Sequence, residues 1–446
     1  MIKLNITNTL FILSLLLPLS LITGPFLPDS VISFSSIIFL IYILYKKKFI
    51  LFNNFFFIFF LFIYLYLIFS SLLSNHPKFS LESSLPYIRL GIFCLLISYL
   101  NNKIHNYLNI IGLFFITVFF FVIIDALFQK SFGISLTMQK SGEQITGVFG
   151  DEKILGSYIS RLLPVIIGFF IISKYKILKN NYFIFFILIL SLIVILLSGE
   201  RAALVNFFSF MFFFTAFKIN NFHKKLILKI IILSGLLGIF ITFNESINER
   251  IWQTAKHELK KIDGSIITFS DHHQLHYLTA ISIFRDYPFI GSGPKMFRKL
   301  CSDKKYFLKG SDFFNINFSN TGNLSAGNPE LANKILTSKG DDFRMRMQSL
   351  DGCSTHPHHT HIQILSETGL FGYLLFLLCI IFFLKLVYTS YMKKENFQFK
   401  FCMLIAILIN FSPFVPSGNF FNNYLSIVYF IPIFFILTDY LKKNKI

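Results

Sequence analysis

Charge-free runs about as long as a membrane is thick dominate this sequence. ILSLLLPLSLITGPFL (12–27) and FFFIFFLFIYLYLIFSSLL (55–73) carry no Asp, Glu, Lys or Arg. Water does not reach backbone amides inside hydrocarbon, so a run of roughly 20 apolar residues is stable there only as a helix bonded within itself. The rest of the composition agrees. Only 14% of the 446 residues are charged, against about 25% in a soluble domain. The chain therefore reads as an all-α polytopic membrane protein of about twelve transmembrane helices.

Spans are expected near 9–27, 30–45, 50–73, 84–100, 107–128, 154–173, 181–198, 201–217, 226–243, 362–386, 400–415 and 424–441. The formal charge of +19 would suggest nucleic acid in a soluble protein, but its placement gives it another cause. With a cytoplasmic N-terminus, the inward connections carry Lys46, Lys47 and Lys48, then Lys103, then Lys174, Lys176 and Lys179. Lys218, Lys224 and Lys225, Lys393 and Lys394, and the tail residues Lys442, Lys443 and Lys445 continue the series. Short outward connections are poor in basic residues: SNHPKFSLES has Lys78, SGER has Arg201, and SPFVPSGNFFNN has none. This is the positive-inside pattern, which places both termini in the cytoplasm. The longer outward segment 129–153 is mixed in charge. The first apolar run has no small-residue cleavage site and reads as a span rather than a signal peptide.

Residues 1–243 are thus expected to form nine spans with short loops, 244–361 one long exterior loop domain, and 362–446 three more spans. The loop domain holds the single tryptophan, Trp252. Loops of that length without a span are usually functional. Cys94, Cys379 and Cys402 fall in spans, whereas Cys301 and Cys353 share the exterior loop and could pair there. No glycine-rich phosphate loop precedes a helix, so a reaction here would use an already activated substrate.

Ionisable groups at the membrane edge need a partner or a purpose. In SGERAAL (198–204), Glu200 and Arg201 form either a local ion pair in a hairpin or an anion seat, for which a guanidinium fork suits phosphate. In GVFGDEKILGSYISRLLP (147–164), Arg161 lies about two turns inside a span, ahead of the helix-bending Pro164. It reads as an anion contact or a structural ion pair. Asp151 and Glu152 stand where acidic side chains favour a helix N-terminus. In STHPHHTHIQILSETG (354–369), His356, His358, His359 and His361 fall within six positions. A metal cage, a solvated turn and a general base near neutral pKa are the open readings.

The last of these segments, extended to HPHHTHIQILSETGLFG (356–372), resembles the signature of the O-antigen ligase and polymerase superfamily. That pattern is a His, an amide or Ser, nine residues, a Gly, and a small or aromatic residue beyond. It places the functional His at His358 and the amide position at His359, with Glu367, Gly369 and Gly372 completing the motif and His356 and His361 as neighbours. SGERAAL, VFGDEKILGSYISRLLP and IFRDYPFIGSGPKMF (283–297) resemble further family segments, in the same order, from about 145 to 375.

The resemblance implies a GT-C-like membrane fold and an inverting, metal-independent glycosyltransferase without cofactor. It would move a glycan from undecaprenyl diphosphate to a hydroxyl acceptor on the periplasmic side of a bacterial inner membrane. His358 would activate the acceptor and Arg201 would hold the diphosphate. Where the family carries a second arginine, this chain reads DHHQLHYL (271–278). The second contact therefore falls to His273, Arg161, Arg285, Lys295 or Arg298. Lipid A-core is the expected acceptor (an O-antigen ligase). A second carrier-linked glycan (polymerase) and a protein hydroxyl (O-oligosaccharyltransferase) are the alternatives. A polyprenyl-glycan flippase would instead show midplane charges and repeat symmetry, and neither is visible.

Overall fold

The structure, a computed structural model, describes residues 6–140, 142, 144–216, 271–308, 351–438 and 440. The span expected at 226–243, Trp252, the tail lysines and most of 244–361 lie outside the described residues. Among those described there are helices, turns and one isolated bridge between Ile134 and Lys140, but no strand.

The chain opens with α1 (Ile6–Leu15) and α2 (Leu17–Ser20), then α3 (Phe26–Tyr45), α4 (Phe55–Leu72), α5 (Pro77–Ser84), α6 (Ile88–Lys103) and α7 (Tyr107–Phe132). Next come α8 (Leu155–Ile172), α9 (Asn181–Ser198) and α10 (Arg201–Ala216). Beyond residue 270 the described helices are α11 (Asp271–Asp286), α12 (Phe297–Leu300), α13 (Thr360–Met392), α14 (Phe397–Asn410) and α15 (Asn423–Ile436). Among the described residues, seven runs are long and apolar enough to cross a membrane: α3, α4, Pro77–Lys103, α7, α8, α9 and α13. Four shorter apolar helices, at Ile6–Ser20, Arg201–Thr215, Phe397–Asn410 and Asn423–Ile436, fall on other expected spans.

Both faces of these helices are apolar, as lipid demands. On α4, Phe56 and Phe60 are buried while Ile58, Phe62, Leu65 and Phe69 are exposed. No hydrophobic force separates such faces in lipid, so small residues decide which helices approach closely. Helix α8 is the centre of the bundle and packs on α7, α9, α10 and α14. A side chain at its Gly168 would run into Met403 and Phe399 of α14. Helix ends are closed locally. Asn54, Asn180 and Asn422 cap α4, α9 and α15 through their side-chain oxygens, and Gly199, at φ 68, ends α9 in a left-handed turn.

Outside this bundle, α11 and α12 build a small core of their own from Ala280, Ile283, Met296, Phe297 and Leu300. That core meets the bundle along α13, which is broken at Gly369 (φ 66, ψ −173).

Candidate functional site

The segments singled out in the sequence come together in two pairs. The first joins α8 to the turn before α10. Glu200 accepts hydrogen bonds from the backbone N–H groups of Gly156 (2.6 Å) and Ser157 (3.0 Å) and from the Ser157 hydroxyl (2.5 Å). Its carboxylate thus closes the N-terminus of α8, where orphan N–H groups and the helix dipole favour an anion. That role was expected of Asp151 and Glu152. Both instead precede Ile154, and the first turn of α8 contains no acidic residue. Burial raises the Glu200 pKa, against the pull of Ser157, Gly156 and the nearby Arg161. Arg161 is buried, donates to Asn410 Oδ1 at 3.0 Å, and lies over the Tyr429 ring at 5.5 Å. Its guanidinium thereby ties α8 to α14 and α15. Arg201 is the half-buried first residue of α10.

The second pair joins the DYPFIGSGPKMF segment to the start of α13. The break at Gly369 frees two N–H groups, and both bond to that segment: Leu370 N to Pro288 O (2.8 Å) and Phe371 N to Phe289 O (3.2 Å). Any side chain at Gly369 would strike the Phe289 carbonyl. Gly291, at φ 81, lies against the Glu367 backbone just as closely. Glu367 is fully buried and accepts from Phe297 N (3.0 Å) and Gln363 Nε2 (3.0 Å). Gln363 in turn bonds Asn419 (2.8 Å) and Phe420 N (2.9 Å). Gly372 allows the close approach of Tyr66, whose hydroxyl donates to Thr368 O at 2.6 Å. The family-motif glycines and glutamate thus fasten the loop to the helix.

The histidines sit where these pieces meet, and they are not equivalent. His358 holds a left-handed backbone (φ 55), a conformation uncommon outside glycine. Its carbonyl accepts from Ser417 N at 2.9 Å, and Ser354 Oγ lies 3.3 Å from its Nε2. Three imidazoles surround it, with ring centres at 3.9 Å (His356), 5.0 Å (His273) and 5.3 Å (His276). His356 is buried and its Nδ1 meets Thr355 Oγ1 at 2.9 Å, but its Nε2 has no partner among the described residues. Burial first, then His358, His276 and Arg298, push its pKa down to about 3. It is a neutral wall to the site.

His359 and His361 do structural work. His359 is the N-cap of α13, which starts at Thr360, two residues earlier than expected. Its Nδ1 accepts from Ile362 N (3.3 Å), so its Nε2 carries the proton donated to Pro413 O (3.1 Å). One donor and one acceptor are what an amide side chain would offer here. Burial lowers the His359 pKa, which keeps that tautomer neutral. His361 donates from Nε2 to Phe411 O (2.8 Å) and meets the Tyr373 hydroxyl at 3.1 Å.

Of the expected anion contacts, His273 stands beside His358. Arg298 reaches the Thr355 carbonyl, with Nε 3.4 Å away. Arg285 does not join them: it is exposed, twelve residues along α11 from His273, or about 18 Å at 1.5 Å per residue. Cys301 and Cys353 are disulfide-bonded and hold the histidine loop against the end of α12. His276 was missed in the sequence. Its signal was the three-residue spacing from His273, which puts both on one helix face. Below the site an apolar cavity of about 120 Å³ opens between α4, α13 and α15, lined by Phe56, Phe60, Gly372, Phe376 and Phe430 among others.

The family model described as O-antigen ligase matches residues 186–327. The chain carries a domain of the O-antigen ligase and polymerase superfamily. Two of the four resembling segments, SGERAAL and IFRDYPFIGSGPKMF, fall inside the match, and the His358 motif falls beyond it. No curated protein matches the chain. The O-antigen ligase domain implies glycosyltransferase-like chemistry between a lipid-linked glycan and a glycan acceptor. The apolar helices are those of a multi-pass membrane protein, and O-antigen ligases are inner-membrane proteins.

Proposed function

We propose that this protein is an inverting glycosyltransferase that moves a glycan from undecaprenyl diphosphate to lipid A-core, as an O-antigen ligase. The observation that carries the proposal is the placement of His358, strained in backbone and ringed by three imidazoles, where a loop meets a membrane helix. Strained residues of this kind concentrate at working sites.

In this reading the acceptor hydroxyl gives its proton to the neutral His358 imidazole while its oxygen attacks the anomeric carbon. The bond from that carbon to the diphosphate oxygen breaks on the opposite face, and undecaprenyl diphosphate leaves. Arg201 and, when protonated, His273 meet the charge that develops on the leaving group, which fixed cations stabilise best where water is sparse. The apolar cavity beneath α13 takes the polyprenyl chain. The domain reading follows the same line. About twelve spans in a GT-C-like bundle leave 244–361 as one periplasmic domain, with both termini cytoplasmic. The Cys301–Cys353 disulfide supports the exterior placement of that domain, because such bonds persist in oxidising compartments.

Purified protein in lipid nanodiscs, given undecaprenyl-diphosphate-linked glycan, should glycosylate lipid A-core with inversion at the anomeric carbon. Transfer only to a second carrier-linked glycan would make it a polymerase, and transfer only to a protein hydroxyl an O-oligosaccharyltransferase. No transfer to any of the three would overturn the reading.

A further inference from the structure

At the far end of α13 the chain turns into α14 beside the connection that follows α8. The helix ends meet there around a second cavity, of about 770 Å³. The apolar part of its lining comes from Ile171 and Ile172 at the end of α8 and from Phe397 and Phe399 at the start of α14. The polar part includes two exposed lysines, Lys179 on the α8–α9 connection and Lys394 on the α13–α14 connection. This end of the bundle is remote from His358. Beyond its break α13 continues from Leu370 to Met392, about 33 Å at 1.5 Å per residue.

The positive-inside pattern assigns both connections to the cytoplasm, and it accounts for basic residues anywhere along them. It does not account for their gathering around a hollow. Lys174, Lys176 and Lys393 satisfy the pattern without lining the cavity, whereas Lys179 and Lys394 line it. No acidic side chain joins the lining, although Glu395 directly follows Lys394. Among the described residues the Lys179 and Lys394 ammonium groups have no hydrogen-bond or ion-pair partner. Lys400 shows how a lysine is used here when the fold itself needs it. It is buried and donates to Ser390 Oγ at 3.0 Å, bracing α14 against α13. Tyr388 and Tyr391 near the end of α13 and Tyr182 at the start of α9 are exposed. Tyrosines so placed lie at the depth of the lipid headgroups.

We infer that this cavity holds the headgroup of an anionic phospholipid of the cytoplasmic leaflet, its phosphate between Lys179 and Lys394. A lysine serves a phosphate as a point charge, and basic pockets between membrane helices on this side suit such headgroups. The apolar residues beside the lysines cover the glycerol and the first methylenes of the chains. Nothing in this site depends on glycan transfer at His358.

Native mass spectrometry of the purified full chain in detergent tests this, with phosphatidylglycerol and phosphatidylcholine of the same acyl chains as probes. The wild type should bind its first phosphatidylglycerol roughly fivefold or more tighter than phosphatidylcholine. Lys179→Gln and Lys394→Asn should each weaken phosphatidylglycerol binding roughly fivefold, and together roughly thirtyfold, without changing that of phosphatidylcholine. Asparagine also tolerates the left-handed backbone at position 394 (φ 54), so the turn is kept. Lys174→Gln combined with Lys176→Gln removes as much charge without touching the cavity. At about 0.15 M ionic strength, where exposed charges are screened, that pair should weaken binding less than about twofold. Equal losses in the two double variants would reduce Lys179 and Lys394 to general surface charge and overturn the site. Undiminished phosphatidylglycerol binding in Lys179→Gln/Lys394→Asn would overturn it as well. Displacement of the lipid by millimolar inorganic phosphate would make this a site for the free ion and overturn the lipid assignment.

Discussion

Two corners of this molecule carry ionisable groups, and they hold them in opposite ways. At the Glu200 corner the charges of Glu200 and Arg161 are engaged within the fold. The carboxylate takes three hydrogen bonds from α8, and Arg161 is engaged by Asn410 and Tyr429. At the His358 corner the backbone is strained, left-handed at both Lys295 and His358, and the buried His356 Nε2 has no partner among the described residues. Groups whose hydrogen bonds are complete hold helices together. Groups held in costly conformations with capacity to spare are the ones left to act on a ligand.

The comparison breaks most sharply on one variant from each corner. His358→Ala should reduce glycan transfer by roughly a hundredfold or more, the range for loss of a general base, with an unchanged thermal midpoint. Glu200→Ala should do the reverse. It leaves the N–H groups of Gly156 and Ser157 without an acceptor, at a cost on the order of 2–3 kcal/mol, and transfer per folded molecule should persist. Transfer assays and thermal unfolding on the same detergent preparations check both. Near-wild-type turnover in His358→Ala would remove the base from the proposal.

How much of this was legible beforehand follows from the distance over which each property is decided. The apolar runs were readable because lipid imposes its rule on each span separately, and α3, α4 and α7 fall within a few residues of their expected positions. The histidine loop was readable because its members are adjacent in sequence. Glu200 was not: its partners lie 43 and 44 residues away on α8, so local rules assigned the helix N-terminus to Asp151 and Glu152. Local sequence leaves Arg161 open between an anion contact and an ion pair for the same reason, since Asn410 is 249 residues distant. Gly369 stood out as a motif position, but its conformation is set by the Phe289 carbonyl that packs where its side chain would be. His276 needed only the helical spacing from His273, and that signal was present.

A smaller effect sharpens the contrast through pH. His356 is held near a pKa of 3 in the folded protein, against an ordinary value of 6.5. Below its ordinary pKa the unfolded chain binds a proton that the folded chain refuses. Stability linked to His356 is therefore complete above about pH 6.5 and is lost progressively as pH falls toward 3. His356→Asn removes the titration. Its thermal midpoint should fall less steeply than that of the wild type between those limits, whatever its value at neutral pH. Parallel slopes would mean that His356 takes up a proton in the fold, and then it could not serve as the neutral wall beside His358.

The smallest expected effect belongs to His359, and it tests whether the two corners share one logic. His359 departs from the family's usual amide, yet it caps α13 with Nδ1 and donates from Nε2 to Pro413 O. An asparagine can accept at the cap through Oδ1, a role for which it is among the best residues, and its Nδ2 supplies the donor. His359→Asn should therefore hold activity within about twofold and stability within about 0.5 kcal/mol, the range of a replaced cap that still accepts. His359→Ala removes both bonds and should cost about 1 kcal/mol in thermal unfolding, with a modest fall in transfer as the turn carrying His358 loosens. If Asn instead abolished transfer, the imidazole itself would be needed at 359, and the working group would be a histidine pair.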